Sequence, residues 1–312
     1  MSKTVVVTTC SANHIAQAKG LAESVHKYNP NIEVMIGLVD KLEGRVPPQY
    51  YESFRVVEAH TLEIPEFETM LARYNVFELN CALKCFFAAA ALEKMGADRI
   101  IFLDSDMLVY DSLQYIENLL ESHPVLLTPH IWTAFPIDNK RPFEREMLKN
   151  GVYNAGFFGV KKNETGLSFL KWWKERMIDQ CYVNLKEGMF VDQKWLNLVP
   201  LFFPAVKLVD HYGCNVAYWN LHERKVSKQE GKFMVNEQPL IFFHYSGYNI
   251  KEPSIISRHQ DRVKMEDQPA LKELFAYYQE ALIRNNHSGM LGLRCYYKKR
   301  KSVWEKMRIK RK

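Results

Sequence analysis

The sequence lacks any uninterrupted apolar run near the roughly 20 residues that a membrane-spanning helix requires. It also lacks the pattern of a signal peptide, because its start, MSKTVVVTTC, has one lysine and only a short apolar run. That segment indicates a first β-strand instead. We therefore expect a cytosolic protein with a large core, since 47% of its residues are hydrophobic.

Paired cysteines are also missing, since none of the six forms a CxxC motif or a group with zinc-ligand spacing. Cys81 and Cys85, four residues apart in an apolar segment, are expected to be small buried core residues. Free thiols of this kind suit a reducing compartment. The sequence has no internal repeat and no low-complexity linker, which favours one domain over residues 1–290.

Excess positive charge is absent except at the C-terminal end. Residues 294–312 contain ten lysines and arginines and a single acid, Glu305, whereas the rest of the chain holds 32 bases and 35 acids. The net charge of +6 therefore comes from the end of the chain, which argues against a nucleic-acid-binding body. We interpret residues 291–312 as a basic tail appended to the domain.

The tail interleaves its bases with apolar residues. Wound as a helix, it places Tyr296, Val303 and Met307 near one side, with Trp304 close by. Such a helix is typical of segments that lie on anionic membrane surfaces, although a solvated tail and a nucleic-acid-binding run are alternatives. We expect residues 294–312 to bind the inner face of the cell membrane, so that the protein is cytoplasmic and peripheral, with no nucleic acid as partner.

Hydrophobic spacing predicts an α/β fold. A β-branched strand at 4–9 is followed by a helix over 14–28 and a buried strand at 32–40, and this βαβ unit indicates a parallel sheet. The segment FRVV at 54–57 predicts a third strand. We expect a mixed, mainly parallel sheet flanked by helices.

The middle of the sequence predicts the core of that sheet. Residues 76–95 are rich in helix formers and are followed by Gly96, which favours the end of a helix. The segment RIIFLD at 99–104 is uncharged between its two ends, as a parallel strand buried on both faces is. The second half predicts a strand at 151–160, a helix containing Trp172 and Trp173, a helix at 189–199 and a strand at 239–248.

Two carboxylates follow the central strand in the order Asp104-Ser105-Asp106. Ligands of open α/β sheets bind outside the carboxyl ends of the strands, where Mg²⁺ or Mn²⁺ would take oxygen ligands and bridge to phosphates. The pair therefore predicts a metal site that holds a diphosphate, with a solvated strand-end turn as the alternative. Phosphatases of the haloacid dehalogenase type share a DxD motif, but they have threonine or valine where this chain has Leu108.

Four segments, in order, resemble one enzyme family. FLDSDMLVYDSL is similar to the metal-binding segment of glycosyltransferases with the GT-A fold, a Rossmann-like α/β fold. VYNAGFFGV, FVDQKWLN and FFHYSGYN resemble later motifs of glycosyltransferase family 8, the branch with glycogenin and bacterial lipopolysaccharide galactosyltransferases. The order and rough spacing agree over residues 4–250. The resemblance implies a single-domain GT-A enzyme with a nucleotide-sugar donor.

The resemblance gives metal and phosphate roles to specific residues. Asp104 and Asp106 match the family's two metal carboxylates, and His244 matches its third ligand, for which a neutral imidazole is suitable. Lys84 stands where the family has a basic residue facing the donor phosphates, with a side chain extended to solvent as the alternative. Lys251 is the candidate for a second cation on the diphosphate, with a solvated position as the alternative.

Three further residues match positions that line the donor sugar near its anomeric carbon. They are Asn154, Asp192 and Gln193, which we assign as the catalytic residues. In the family, this arrangement accompanies retention of the anomeric configuration. Asp192 and Gln193 have a structural alternative, because an acid near the start of a helix is favoured by the helix dipole.

The nucleotide is expected at the end of the first strand. Thr8, Thr9 and Asn13 match the segment that holds the nucleoside in the family, and Ser105 lies between the metal carboxylates. The family often has an acidic residue beside the first strand that reads uracil, whereas this chain has TTCSAN. Asp40, which ends the second strand, is expected to substitute, so UDP is the expected nucleotide.

Together these patterns predict a metal-dependent glycosyltransferase that moves a sugar from a UDP-sugar to a glycan or lipid-linked glycan, with Mn²⁺ or Mg²⁺ as cofactor. The resemblance implies retention and a role in surface polysaccharide or lipopolysaccharide synthesis. The alternatives are an inverting GT-A enzyme, in which an acid deprotonates the acceptor hydroxyl, and a carbohydrate- or membrane-binding protein with an inactive GT-A fold.

Overall fold

The computed structural model describes residues 2–42 and 44–297. Its strands are β1 Thr4–Cys10, β2 Glu33–Leu38, β3 Arg55–Glu58, β4 Arg99–Leu103, β5 Met107–Val109, β6 Val125–Pro129, β7 Tyr153–Lys161, β8 Val183–Asn184, β9 Met189–Phe190, β10 Val206–Leu208, β11 Val226–Gln229, β12 Lys232–Val235, β13 Gln238–Pro239 and β14 Phe242–His244. Its α-helices are α1 Ile15–Tyr28, α2 Phe67–Arg73, α3 Val76–Lys94, α4 Gln114–Ser122, α5 Glu144–Asn150, α6 Glu164–Met177, α7 Val199–Phe202, α8 Pro269–Arg284 and α9 His287–Met290.

The central sheet has the strand order β10-β6-β7-β4-β1-β2-β3. β1 pairs in parallel with both β2 and β4, as the predicted βαβ unit requires. β7 runs antiparallel to its two neighbours, β4 and β6. The sheet is therefore mixed and mainly parallel, which confirms the predicted fold class.

Helices cover both faces of this sheet. Val5 and Val7 of β1 pack in one core cluster with residues of α3 and α6, whereas Val6 packs on the opposite face with residues of α1 and α4. Successive side chains of a strand point to opposite faces, so a strand covered on both sides is apolar throughout. This explains the continuous apolar runs from which β1, β2 and β4 were predicted.

α3 is the helix that carries a charged residue into the core. It begins at a capping box, in which Asn75 Oδ1 accepts from the Glu78 N–H at 3.0 Å and the Glu78 carboxylate accepts from the Asn75 N–H at 2.9 Å. Cys81 and Cys85 are buried and free, as predicted. Lys84 is buried among them, and a buried ammonium costs free energy unless it is paired.

A small second sheet brings the end of β14 to the DxD turn. β5 pairs with β14 in antiparallel fashion, and the register aligns His244 with Met107. Since Met107 directly follows Asp106, this pairing places the histidine beside the turn. Local sequence spacing gives no indication of such a contact.

The helix predicted over 189–199 is wrong in its first part. Met189–Phe190 form β9, a 3₁₀ helix spans Gln193–Leu198, and α7 begins only at Val199. Between them, Val191 has a φ of 40°, in the left-handed region, where a helix of L-residues does not continue. Asp192 and Gln193 follow this turn, and both are buried.

Beyond α9 the chain returns to the end of β2. The Tyr296 N–H donates to the Asp40 carboxylate at 2.7 Å, and the Tyr297 ring packs edge-on against Phe67. The start of the predicted 291–312 tail thus packs on the domain, whereas residues 298–312 lie outside the described residues. Within residues 2–42 and 44–297, no helix is long and apolar enough to cross a membrane.

Candidate metal and donor site

The turn Asp104-Ser105-Asp106 is held by backbone hydrogen bonds to two strands. The Asp104 N–H donates to the Gly156 carbonyl of β7 at 2.8 Å. The Tyr245 N–H, directly after β14, donates to the Asp106 carbonyl, also at 2.8 Å. The sheet therefore fixes the position of both carboxylates, which is the arrangement a preorganised ligand site needs.

Asp104, Asp106 and His244 come together at this edge of the sheet. One ligand atom from each lies within 4.8 Å of the others, and His244 Nε2 is 3.0 Å from Asp106 Oδ1. A Cβ at Gly156 would lie 2.6 Å from His244 Cε1 and 2.9 Å from Asp104 Oδ2. Two carboxylates and an imidazole around a space that a methyl group would fill suit a divalent cation such as Mn²⁺ or Mg²⁺.

Lys84 forms ion pairs with two acids of the site. Its Nζ lies 2.9 Å from Asp104 Oδ1 and 3.3 Å from Asp192 Oδ2, and it donates to the Ala155 carbonyl at 3.2 Å. Burial lowers the pKa of Lys84, but the two carboxylates more than offset this and hold it well above its usual value. The side chain is therefore a fixed buried cation and does not extend to solvent.

The pKa values of buried Asp192 and of partly exposed Asp106 shift in opposite directions. Burial raises the pKa of Asp192, and the charge of Lys84 offsets this only in part. Burial also disfavours ionised Asp106, but the charge of His244 and the hydrogen bond from it outweigh burial, so the pKa of Asp106 is lowered. Asp106 is thus ionised at neutral pH, as a metal ligand must be.

A chain of amide side chains connects His244, a candidate metal ligand, to the predicted catalytic residues. Asn154 Nδ2 donates to Gln193 Oε1 at 3.2 Å, and Asn154 Oδ1 accepts from Asn215 Nδ2 at 3.1 Å. Asn215 Oδ1 lies 3.4 Å from His244 Nδ1, which must be the donor because an amide oxygen only accepts. This contact orients the His244 ring and directs Nε2 to Asp106.

The rings of Trp219 and His130 pack against this network. The Trp219 ring packs edge-on against His130 and His244, with centroid distances of 5.2 Å and 5.1 Å. His130 Nε2 lies 3.3 Å from Asn154 Nδ2. Burial lowers the pKa of His130 to about 4, so its ring is neutral at pH 7 and its Nε2 accepts from the Asn154 amide.

Most of these groups line a cleft of about 740 Å³, within the usual size range of small-molecule sites, whereas Asn215 lies behind its lining. Of the thirteen predicted site residues, ten line it: Thr9, Asn13, Lys84, Asp104, Ser105, Asp106, Asn154, Asp192, Gln193 and His244. The sequence-based assignment therefore collects residues from the ends of β1, β4, β7 and β14 at one place.

No protein-family model matches the chain. The uncharacterized protein YfnF of Bacillus subtilis strain 168 is 27% identical over 279 residues, which cover 88% of this chain and 90% of YfnF. YfnD, also uncharacterized and from the same organism, is 24% identical over 281 residues, which cover 87% of this chain and 86% of YfnD. These similarities extend along nearly the whole chain.

A solved structure of the galactosyltransferase LgtC, in complex with donor and acceptor sugar analogs, has a similar fold. The TM-score is 0.51 at 18% sequence identity, and the match covers 89% of this chain and 95% of LgtC. The fold is the GT-A glycosyltransferase fold. The structure thus confirms the fold that the four motifs implied.

In this GT-A domain, Asp40 does not line the cleft. Its side chain is fully buried, Oδ2 accepts from the Ala12 N–H at 3.0 Å, and Oδ1 forms an ion pair with Arg45 at 2.5 Å. Oδ1 also accepts from the Tyr296 N–H. Both carboxylate oxygens of Asp40 are therefore occupied, and Asp40 stabilises the segment that follows β1. Contact between Asp40 and the nucleotide base stays a prediction, and these hydrogen bonds do not favour it.

Thr8 and Lys251 also lie outside the residues that line the GT-A cleft. Thr8 is fully buried in β1, one position before the cleft residue Thr9, and its hydroxyl has no hydrogen-bond partner among the described residues. Lys251 is exposed in the loop that follows β14.

Sequence reasoning missed several residues of the GT-A site. His130 follows β6 at the same edge of the sheet as Asp104, so the strand-end rule could have found it. Gly156 belongs to the quoted motif VYNAGFFGV but received no role. Asn215 and Trp219 lie in a segment without α-helix or strand, where periodicity gives no signal.

Proposed function

We propose that the protein is a metal-dependent, retaining glycosyltransferase related to family 8. It transfers a sugar from a UDP-sugar to a glycan or lipid-linked glycan during surface polysaccharide synthesis. The observation that carries the proposal is the cluster of Asp104, Asp106 and His244 at the strand ends of a GT-A cleft.

The donor diphosphate is the group for which this part of the cleft is suited. Asp104, Asp106 and His244 would hold Mn²⁺ or Mg²⁺, which when bound stabilises the negative charge of the leaving diphosphate. Lys84 adds a buried cation 2.9 Å from Asp104. A fixed positive charge in a site of low dielectric stabilises charge that develops in the transition state more strongly than water does.

Retention is supported by the state of Asp192 and Gln193. An inverting enzyme needs a carboxylate that takes the proton of the acceptor hydroxyl, but Asp192 is 1% exposed and paired with Lys84. Gln193 Oε1 accepts from Asn154 and from the Ala155 N–H, and its Nε2 donates to the Asn150 carbonyl. We therefore give Asp192 and Gln193 the roles of fixed polar groups beside the donor sugar.

An inverting reaction is the second candidate, because one more acid lines the cleft. Glu146 of α5 is a cleft-lining carboxylate outside the Lys84 network. It would serve as the base in an inverting mechanism. The anomeric configuration of the product, measured by NMR, separates the two mechanisms. An inverted product together with an inactive Glu146→Gln variant would replace our assignment.

The donor is tested by thermal unfolding in the presence of nucleotide sugars, with and without Mn²⁺. A ligand that binds the folded state raises the unfolding temperature, and at a hundredfold excess over Kd it adds about 2.7 kcal/mol. We expect UDP-sugars to act only with the metal, and Asp106→Ala to lose the effect. Asp111→Asn is the matched control, because Asp111 lies outside the cleft and pairs with Lys232 at 3.7 Å. No shift with any nucleotide sugar would contradict the proposal.

A further inference from the structure

After the turn that contains His244, the basic residue that lines the cleft is Arg258, whereas Lys251 was the residue predicted for this role. Lys251 is exposed and does not line the cleft, whereas Arg258, later in the same loop, does. The Arg258 N–H donates to the Gly247 carbonyl at 3.2 Å, and Ser246 of the same turn also lines the cleft. Arg258 therefore lies on the side of the cleft formed by the turn after His244.

His259 holds the guanidinium of Arg258. Arg258 Nε donates to His259 Nε2 at 3.2 Å. Partial desolvation lowers the pKa of His259, although the residue is exposed, and the charges of Arg258 and Arg141 lower it further, so the ring is neutral at pH 7 and able to accept. A neutral acceptor on Nε leaves the two Nη groups of Arg258 for another partner.

The position of His259 is itself fixed from two sides. Its ring lies 5.8 Å from the Tyr218 ring, which packs at 5.0 Å against Trp219, the residue whose ring contacts His244. Gly247 has a φ of 75°, and a Cβ there would lie 2.5 Å from His259 Cδ2. Only glycine allows this close approach, so the turn after β14 is shaped around His259.

Arg258 differs from two neighbouring arginines in having no acidic partner among the described residues. Two other arginines of this region have acid partners, Arg262 with Asp138 at 2.7 Å and Arg141 with Asp261 at 3.8 Å. Within residues 2–42 and 44–297, no carboxylate oxygen lies within 4.0 Å of the Arg258 guanidinium. An oriented guanidinium that lines the same cleft as Asp104, Asp106 and His244, with no carboxylate on its Nη groups, is suited to a phosphate.

We propose that Arg258, oriented by His259, binds the diphosphate of the nucleotide-sugar donor. This inference rests on the proposed function, and it gives Arg258 the role that the resemblance gave to Lys251. Arginine suits this role better than lysine, because its planar fork donates two parallel hydrogen bonds to one phosphate.

The experiment is calorimetric titration of UDP and UMP, in the presence of Mn²⁺, into the full chain and four variants: Arg258→Ala, Arg258→Lys, His259→Ala and Lys251→Ala. Charge-assisted hydrogen bonds contribute about 1.5–3 kcal/mol, so Arg258→Ala should weaken UDP binding about 30-fold. UMP binding should change less, because it lacks the second phosphate. Arg258→Lys should recover only part of the loss, and His259→Ala should lose about tenfold.

Lys251→Ala is the matched control and should bind UDP within twofold of the unaltered protein. Arg258 is exposed, so its variants should keep the unaltered melting temperature. Unchanged UDP affinity in Arg258→Ala would overturn this inference alone, as would a large loss in Lys251→Ala. An unaltered protein that binds no UDP with Mn²⁺ would overturn the proposed donor and this inference together.

Discussion

Two aspartates follow parallel strands at the same edge of the sheet, Asp40 after β2 and Asp104 after β4, with β1 between the two strands. Asp40 is fully buried and receives hydrogen bonds from the backbone N–H groups of Ala12 and Tyr296 as well as an ion pair with Arg45. The Asp104 side chain is 25% exposed to the cleft and pairs with Lys84. One carboxylate is thus saturated by the protein, and the other keeps coordination capacity.

The difference shows what makes a strand-end carboxylate a candidate metal ligand. The sheet edge supplies the location for both residues, but only Asp104 has a second acid and a histidine close by. Several carboxylates around one space repel each other unless a cation joins them, whereas N–H donors around a carboxylate remove the need for one. The role of each aspartate therefore depends on the residues that later segments place beside it, which are Tyr296 at Asp40 and His244 at the DxD turn.

The largest effect on activity is expected from a change in the candidate metal cluster that contains Asp104. Asp106→Ala should reduce sugar transfer about 1,000-fold, because a metal that stabilises the leaving group contributes several kcal/mol and each 1.4 kcal/mol is tenfold in rate. The measurement is the initial transfer rate, with Mn²⁺ affinity determined in parallel. Asp111→Asn is the control. Full activity of Asp106→Ala, or of the unaltered protein in EDTA, would contradict the metal site.

Asp40→Ala should change stability more than binding. Removal of one partner of a buried ion pair costs about 3 kcal/mol in the free energy of unfolding, because Arg45 loses its carboxylate partner and three backbone N–H groups lose their acceptor. Urea unfolding measures this, and UDP titration measures binding. Unchanged stability with loss of UDP binding would show that Asp40 reads the base, as the sequence predicted.

Two truncations separate the packed end of the chain from the basic tail. A chain ending at Tyr297 keeps the Asp40 contacts and should retain full stability and nucleotide binding, while it loses binding to anionic vesicles. A chain ending at Leu293 also removes the Tyr296 N–H from Asp40 and the Tyr297 ring from Phe67, and should lose about 2 kcal/mol more. Vesicle sedimentation and urea unfolding are the measurements. Equal sedimentation of all three proteins would exclude the tail as the membrane anchor.

The smallest effect on metal binding is expected from Asn215, which contacts His244 and is not itself a candidate ligand. Asn215→Ala should weaken Mn²⁺ binding about tenfold, since groups that orient a ligating histidine typically contribute 10- to 100-fold. Asn215→Asp keeps an acceptor for His244 Nδ1 and should lose less. If the alanine variant binds Mn²⁺ normally, the orientation of His244 depends on packing by Trp219 instead.

The sequence was sufficient for the fold and for the DxD turn, because buried parallel strands leave continuous apolar runs whose ends are easy to locate. His244 was reached only through the resemblance, since its pairing with the Met107 strand is a long-range contact. The positive φ of Val191 interrupts the helix that was predicted over 189–199, and the sequence did not indicate it because the residue is not a glycine. The partners of Asp40 were equally hidden, because Tyr296 comes from the other end of the chain.

The backbone hydrogen bond from Asp104 to Gly156 joins the end of a parallel strand to the start of an antiparallel one. This ladder therefore places the Asp104 carboxylate beside the Asn154 amide at the start of β7, at a separation fixed by the spacing of about 4.8 Å between neighbouring strands. In the proposed reaction, the distance from the leaving diphosphate to the sugar ring would then be set by the sheet and would not depend on loop length. Changes in the surrounding loops can then alter the acceptor without disturbing the donor.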